Sequence, residues 1–301
     1  MKLTILGCHS ATPRINTHPT SQVLEIRNHI FLIDCGEGTQ VQLRKNKIRF
    51  NRIKHIFISH LHGDHYFGLV GLVSTFRLLT RETDLHIYGP KGLKEIITLQ
   101  MKLGSSWTNY KLIFHELTSK ESELIFEDDK VEVFTIPLNH RVYTNGFLFK
   151  EKTNELKLNI SAAENENINI AYYRKLKQGF DVVNEDGKLI KNDAVTLKGK
   201  KPLSYAFCSD TVYDESIIPI IKDVDVLYHE STFLEKNKKL AAPTKHSTAK
   251  QAAIIAKKAN AKTLVLGHFS TRYDDLNDFK KEANAIFDNV KLAEEGKVFQ
   301  F

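Results

Sequence analysis

Four side chains of metal-ligating type occur within six residues of one another: His60, His62, Asp64 and His65. They follow an apolar run at residues 56–58. Because successive side chains of an extended chain alternate between its faces, His60 and His62 are expected on the same side. Gly63 permits a tight turn that would bring the next two ligands to a neighbouring position. Imidazoles and a carboxylate suit zinc or a similar divalent ion, so the spacing favours a metal site over a histidine-rich surface loop.

Three more ligand-type residues follow predicted strands: His140, Asp210 and His268. In open α/β sheets, ligands bind outside the carboxyl ends of the strands. Taken alone, each has a simpler interpretation. Either histidine could have a local hydrogen-bond partner, and the aspartate could cap a helix. Together with the first cluster they make seven ligands, which suit two metal ions with Asp210 shared between them. Two metals about 3.5–4 Å apart can clamp a phosphodiester and generate hydroxide from water.

A candidate proton donor lies outside these seven ligands. His246 directly precedes a helix predicted to start at Ser247. Glu230 follows His229 just after the apolar run 226–228. A carboxylate in contact with His246 would raise its pKa and keep a protonated imidazole available as a general acid. The alternative is a surface histidine at a helix terminus. The remaining histidines show no ligand spacing and are interpreted as structural or surface residues: His9, His18, His29, His55, His86 and His115.

The elements that must position these residues alternate between strands and helices. Apolar runs predict strands at 3–6, 22–26, 30–33, 55–58, 84–88, 130–136, 204–208, 225–228 and 262–266. Helical spacing predicts helices that open near Gly38 and Lys91 and helices over 68–79, 247–258 and 275–287. Strands alternating with helices predict a layered α/β architecture.

Residues 150–200 differ from the rest of the chain. They are rich in Lys, Asn and Glu, contain few sustained apolar runs, and carry a hairpin signal at 184–188. Composition by itself favours a solvated insertion over an arm that projects from the core.

Composition excludes several classes of protein. The 301 residues are 42% hydrophobic and 26% charged, which is ordinary for a globular chain and excludes disordered and fibrous classes. The net charge of +7 weakly favours polyanionic partners. Three widely spaced cysteines predict a reducing compartment rather than a disulfide framework. No apolar run is long enough to span a membrane and the N-terminus is typical of a strand, so a cytoplasmic protein with no membrane partner is expected.

Motifs along almost the whole chain resemble those of one family. Residues 57–65 with 68–72 resemble the signature of the metallo-β-lactamase superfamily. More narrowly, the chain resembles the ribonuclease Z family of tRNA 3′-processing endonucleases in segments 32–40, 209–211, 229–233, 246–253 and 266–270. The resemblance implies an αββα sandwich over residues 1–301, a single domain with an inserted protruding arm, two zinc ions per subunit and a homodimer. The implied zinc ligands form two sets bridged by Asp210: His60, His62 and His140 for one ion, and Asp64, His65 and His268 for the other.

The resemblance also implies a reaction. A metal-activated hydroxide would attack the phosphodiester, Asp64 would accept a proton, and His246, held by Glu230, would protonate the leaving 3′-oxygen. The products would be a tRNA with a free 3′-hydroxyl and a trailer with a 5′-phosphate. The alternatives are another two-metal phosphodiesterase or arylsulfatase-like hydrolase of the superfamily, and an RNA-binding protein with a vestigial site.

The insertion falls where ribonuclease Z proteins carry a tRNA-binding arm, so the resemblance makes an arm the preferred interpretation. Four of its residues interleave aromatic and basic side chains: Tyr172, Arg174, Lys175 and Lys177. Such a pattern suits neutralisation of an RNA backbone with little sequence readout. A solvated charged segment is the alternative.

Overall fold

The computed structural model describes residues 1–153, 155–197, 199 and 201–301. The strands among them are β1 (Lys2–Gly7), β2 (Ser21–Ile26), β3 (His29–Ile33), β4 (Ile53–Phe57), β5 (Leu85–Pro90), β6 (Leu112–Leu117), β7 (Leu124–Glu127), β8 (Val131–Leu138), β9 (Thr144–Glu151), β10 (Lys157–Leu158), β11 (Val182–Val183), β12 (Leu189–Ile190), β13 (Thr196–Leu197), β14 (Ser204–Cys208), β15 (Val226–Glu230), β16 (Thr263–Gly267), β17 (Val290–Leu292) and β18 (Val298–Gln300). The α-helices are α1 (Thr39–Lys45), α2 (Gly63–Tyr66), α3 (Leu69–Leu78), α4 (Leu93–Leu103), α5 (Ile160–Asn165), α6 (Tyr173–Lys177), α7 (Asn192–Val195), α8 (Lys238–Thr244), α9 (Ala249–Lys258) and α10 (Asn277–Asn284).

The chain divides into two compact units. The larger contains Met1–Lys150 and Leu203–Phe301, and the smaller is Glu151–Pro202. The smaller unit coincides closely with the insertion that composition marks at 150–200. Residues 154, 198 and 200 of that insertion lie outside the described residues. Its protrusion and its binding of tRNA stay predictions.

The larger unit contains two seven-stranded sheets. The strand orders are β18-β1-β2-β3-β4-β5-β6 and β17-β16-β15-β14-β9-β8-β7. Strands β3 to β6 run parallel, as do β14 to β17. Because parallel neighbours end at the same edge, each sheet brings the carboxyl ends of several strands together, which is the arrangement that the strand-end ligands require.

Alternation along the strands separates two apolar layers. On β4, Ile56 belongs to a core shared with α1, α3 and α4, whereas Phe57 belongs to the core between the sheets. The ring of Phe57 lies 5.3 Å from the rings of both Phe147 and Phe149 on β9. Each such buried ring contributes about 1.5–3 kcal/mol by leaving water. Helices α9 and α10 pack on the second sheet from its other side. The layering is the predicted αββα sandwich.

Several predicted boundaries need correction. The helix predicted from Ser247 begins at Ala249, because Thr248 is its N-cap: Gln251 N donates to Thr248 Oγ1 and Thr248 N donates to Gln251 Oε1. Such a capping box satisfies two backbone donors that the first turn cannot satisfy internally. Strands β6 and β9 were not predicted. Polar residues interrupt both, and pairing with their neighbours decides their conformation.

The smaller unit has an apolar core of its own, which composition did not predict. Six apolar residues are buried within it: Ala163, Ile168, Leu176, Val182, Ile190 and Val195. The predicted hairpin is present, since β11 pairs with β12. Asn184 stabilises its turn by accepting hydrogen bonds from the backbone of Asp186 and Lys188.

Within the described part of the chain, no helix has the length and apolar character needed to cross a membrane.

Candidate metal centre and active site

The segment after β4 carries the densest group of predicted ligands. Ser59 N donates to Asp34 Oδ1 at 2.8 Å, which fixes the chain as it leaves the strand. The predicted tight turn is the single helical turn of α2, which places Asp64 and His65 after His62. A Cβ at Gly63 would lie 2.2 Å from the ring of Phe67, an exposed side chain that would have to move.

One group of ligand atoms joins this segment to two other loops. Its members are His60, His62, His140 and Asp210, whose ligand atoms all lie within 4.8 Å of one another. His62 Nδ1 lies 3.0 Å from His60 Nε2 and 3.3 Å from His140 Nε2. Asp210 Oδ2 lies 3.5 Å from His60 Nε2.

A second group shares Asp210 with the first. Its members are Asp64, His65, Asp210 and His268. Asp64 Oδ2 lies 3.3 Å from His65 Nε2 and 3.4 Å from His268 Nε2. Asp210 Oδ1 lies 3.5 Å from His65 Nε2 and 3.2 Å from His268 Nε2. The two oxygens of one carboxylate thus face different groups, which is the geometry of a bridging ligand.

The chemistry of these groups fits divalent metal. Ligands about 2.0–2.1 Å from a tetrahedral ion are about 3.3 Å apart, close to the separations within both groups. His65 Nε2 is buried and has no hydrogen-bond partner among the described residues, although Asp64 Oδ2 lies 3.3 Å away. An unused buried nitrogen is costly unless it has a ligand. Burial lowers the pKa of His60, His62 and His140, the last to about 4, so these imidazoles are neutral at pH 7 and keep a lone pair for a metal.

The opposite ring nitrogen of each deeply buried histidine is held by a neighbour. His65 Nδ1 lies 2.6 Å from Asp34 Oδ2, and His140 Nδ1 lies 2.9 Å from the Lys245 carbonyl oxygen. His268 Nδ1 lies 2.8 Å from Thr232 Oγ1. Such partners fix the tautomer and orientation of metal-binding histidines, and their loss typically costs 10–100-fold in metal affinity or activity.

Sequence reasoning did not assign roles to these supporting residues. Asp34 directly follows β3 and carried a usable signal, since it is a carboxylate just beyond a strand end like Asp210. Asp34 and His268 also adopt positive φ angles of 54° and 58°, a strained backbone for residues other than glycine. Lys245 contributes a backbone carbonyl, so its side-chain type could not have revealed this role.

His246 and Glu230 meet beside the second group. His246 Nδ1 donates to Glu230 Oε1 at 2.9 Å, and the side chain of Glu230 is fully buried. Burial lowers the pKa of His246, but the charge and the hydrogen bond of Glu230 outweigh it and raise the pKa to about 9. Thr232 Oγ1 donates to Glu230 Oε2 at 2.8 Å and accepts from His268, so it connects the proton donor to a ligand.

Glu230, His246 and His268 also have ligand spacing, but the hydrogen bonds of Glu230 speak against a third ion. Its carboxylate accepts from the backbone N–H groups of Thr211, Thr232 and Ser247 in addition to the Thr232 hydroxyl and His246. These five donors occupy the acceptor positions that a metal would need.

Two adjoining cavities give access to these groups. One, of about 440 Å³, is lined by His62, Asp64, Asp210, His246 and His268. The other, of about 420 Å³, shares Asp64 with it and is lined by His9 and His18 among others. His18 pairs with Glu295 at 2.8 Å, and neither histidine belongs to a ligand group.

The four predicted RNA-binding residues lie in the smaller unit. Tyr172 ends a short 3-10 turn, and Arg174, Lys175 and Lys177 lie exposed on α6. Lys175 Nζ lies 5.7 Å from the centre of the Tyr172 ring. These four residues thus belong to the smaller unit, whereas the seven predicted ligands and the His246–Glu230 pair belong to the larger one.

Comparison with known proteins places this geometry in a family. A protein of Bacteroides fragilis named ribonuclease Z is 45% identical over 294 residues, which cover 98% of this chain and 97% of that protein. The crystal structure of human tRNase Z, short form, matches with a TM-score of 0.72 and 27% identity, and the match covers 100% of this chain and 99% of the human chain. The metallo-β-lactamase fold protein YhfI from Bacillus subtilis has a TM-score of 0.69, 19% identity and coverages of 99% and 98%, a similarity of fold. A family model described as anti-Pycsar protein Apyc1 matches residues 1–192. The chain belongs to the ribonuclease Z family of metallo-β-lactamase-fold proteins, and residues 1–192 also place it in the family of the anti-Pycsar protein Apyc1.

Proposed function

We propose that this protein is a metal-dependent endoribonuclease that removes the 3′ trailer from precursor tRNA. It leaves a 3′-hydroxyl on the tRNA and a 5′-phosphate on the trailer. The observation that carries the proposal is the placement of two ligand groups, joined by Asp210, directly beside the His246–Glu230 pair. The relationship to ribonuclease Z over 98% of the chain supports the choice of substrate.

We assign two zinc ions to the two ligand groups. When bound, they would polarise the phosphodiester and lower the pKa of water so that a nucleophile forms near neutral pH. Neutral imidazoles with few carboxylates suit zinc better than magnesium or calcium, which prefer all-oxygen sites. Burial raises the pKa of Asp64, but its interactions with His65 and His268 lower it more, so its carboxylate is ionised and able to accept a proton.

His246 is the proton donor for the leaving 3′-oxygen. Its Nδ1 is committed to Glu230, so Nε2 is the nitrogen available to a substrate in the cavity. The pKa of about 9 keeps the imidazole protonated at neutral pH. Positive charge in the neighbouring ligand groups would lower that pKa towards neutrality, where general acids work best.

We further propose that the smaller unit binds the tRNA. Arg174, Lys175 and Lys177 place three exposed cations within four residues, and Tyr172 adds an aromatic ring beside them. Cations paired with an aromatic face suit an RNA backbone and its unstacked bases.

A cytoplasmic homodimer is part of the same proposal. The family resemblance supports the dimer, and the three buried, free cysteines are compatible with a reducing compartment. Light scattering of the purified chain at several concentrations tests the dimer, and a mass of one chain at all of them contradicts it.

Parallel assays on a 3′-extended precursor tRNA and on bis(p-nitrophenyl) phosphate test the function. A single cut beside the discriminator nucleotide is expected. Hydrolysis of the small diester alone would instead favour another two-metal hydrolase of the superfamily. Less than about one zinc per chain after purification without chelators, together with no cleavage of either substrate, would favour a vestigial site.

Excision of the smaller unit tests its role. Lys150 on β9 pairs with Ser204 on β14 in antiparallel register, so an Asn-Gly turn can replace residues 151–203 without disturbing the sheet. The shortened protein should hydrolyse bis(p-nitrophenyl) phosphate but lose cleavage of precursor tRNA. Retained tRNA cleavage would remove this unit from the substrate-binding surface.

A further inference from the structure

Two arginines line the cavity over the ligand groups. Arg141 and Arg272 share its wall with His62, Asp64, Asp210 and His246, and both arginines are exposed to solvent.

Neighbouring cations are engaged in internal contacts, whereas these two have no acidic partner among the described residues. Arg14 pairs with Asp274 and donates to the carbonyl of Tyr273. Lys245 Nζ donates to Asn139 Oδ1 at 3.0 Å. A guanidinium at the wall of this cavity, with no carboxylate partner among the described residues, is available for a ligand phosphate, which it can bind through two parallel hydrogen bonds.

Each of the two arginines is close in sequence to a histidine of a different ligand group. Arg141 follows His140 directly, and His140 belongs only to the group with His60 and His62. Arg272 lies four residues after His268, which belongs to the group with Asp64 and His65. The two groups share only Asp210. Each ligand group therefore has one arginine of the cavity wall close in sequence to one of its histidines.

We propose that Arg141 and Arg272 bind the two phosphates that flank the scissile phosphate, one on the tRNA side and one on the trailer side. This inference rests on the proposed ribonuclease function. It makes the pair a clamp that selects a continuous RNA strand over a diester with a single phosphate. Both are binding residues and neither takes part in proton transfer.

Steady-state kinetics of Arg141→Ala and Arg272→Ala test the clamp. Each variant should lose about five- to twentyfold in kcat/KM on precursor tRNA, mainly through KM, a loss between those of an exposed ion pair and a desolvated charged hydrogen bond. Each should also reduce the steepness of the salt dependence by about one phosphate contact. Hydrolysis of bis(p-nitrophenyl) phosphate should change by less than about twofold. Arg77→Ala, which removes an exposed arginine of α3 away from this cavity, is the matched control and should change neither substrate.

Methylphosphonate substitution identifies the phosphate that each arginine binds. Removing the charge of one flanking phosphate should lower the kcat/KM of the wild-type protein by the same factor as replacing the arginine that binds this phosphate. The two changes together should lower kcat/KM no further than either change alone. The two arginines should match different positions. Equal losses on both substrates, or fully additive losses at every phosphate, would overturn the clamp. If wild-type protein cleaves only the small diester, the proposed function fails instead, before either arginine is tested.

Discussion

Replacing His246 with alanine tests whether the chain supplies the proton for the leaving group. The pKa of about 9 is raised from the ordinary 6.5 by Glu230 against the effect of burial. That difference corresponds to about 3 kcal/mol in favour of the protonated ring. A general acid in this position typically contributes about 10²–10⁴-fold, or about 3–5 kcal/mol. We expect kcat on precursor tRNA to fall by that factor.

The leaving group provides the internal control. A ribose 3′-oxygen leaves slowly without a proton, whereas p-nitrophenolate is stable without one, so hydrolysis of bis(p-nitrophenyl) phosphate should fall by less than about threefold. Because His246 belongs to neither of the two ligand groups joined by Asp210, the variant should retain the metal content of the wild-type protein, which elemental analysis measures. A loss of the same size on both substrates would refute the assignment of His246 as the acid.

Glu230→Gln separates the charge of the pair from the presence of the imidazole. Glu230 is the main group that raises the pKa of His246 against the effect of burial, so loss of its carboxylate should lower that pKa. Precursor cleavage by this variant should therefore decline between pH 6 and 8 relative to wild type, as the ring loses its proton. A constant ratio of the two rates across that range would contradict a role for Glu230 in holding the proton.

Three further perturbations follow from the structure. Asp210→Asn removes the shared charge from both ligand groups, so elemental analysis should find less than half of the wild-type metal and no turnover; wild-type metal content would contradict the bridge. Thr232→Val keeps the shape of the side chain but removes the hydroxyl 2.8 Å from His268 Nδ1. It should lower metal affinity, measured by chelator titration, or activity by about tenfold. Unchanged affinity and activity would show that this hydrogen bond is dispensable. Burial, with smaller contributions from nearby histidines, lowers the pKa of His55 to about 3, so the folded state resists its protonation and stability is lost as pH falls below about 6.5. Between pH 7 and pH 5, the free energy of unfolding of His55→Phe, measured in urea titrations, should therefore fall by about 1–2 kcal/mol less than that of the wild-type protein. Equal decreases in the two proteins would refute the reasoning.

The rule that ligands lie beyond the carboxyl ends of strands predicted more of the metal site than any single motif. His140, Asp210 and His268 are separated by 70 and 58 residues of chain, yet each was predicted from the apolar run before it. For Asp210 and His268 the rule works because β14 and β16 belong to the parallel part of one sheet, so the polar residues that follow them meet at a common edge. His140 follows β8, which is separated from those strands by the antiparallel β9. The structure brings all three to the His60 segment.

The sequence was less informative where contacts decide conformation. It did not predict β9, because Asn145, Gly146 and Lys150 break the apolar pattern, although β9 packs Phe147 and Phe149 between the sheets. It placed the first turn of α9 at Ser247, since it did not identify Thr248 as the cap. It also understated the insertion, whose six buried apolar residues are scattered along the chain and meet only when it folds.

The sequence by itself determined the ligand types, their order along the chain and the family, because residue identity and spacing encode these directly. Only the tertiary structure decided which oxygen of Asp210 faces which group and which partner fixes each imidazole. It also decided that no carboxylate among the described residues pairs with Arg141 or Arg272. Those properties depend on distances of about 3 Å between atoms from different loops. Such distances are set by packing and backbone strain, as at Asp34 and His268, and they leave no periodic trace in the sequence.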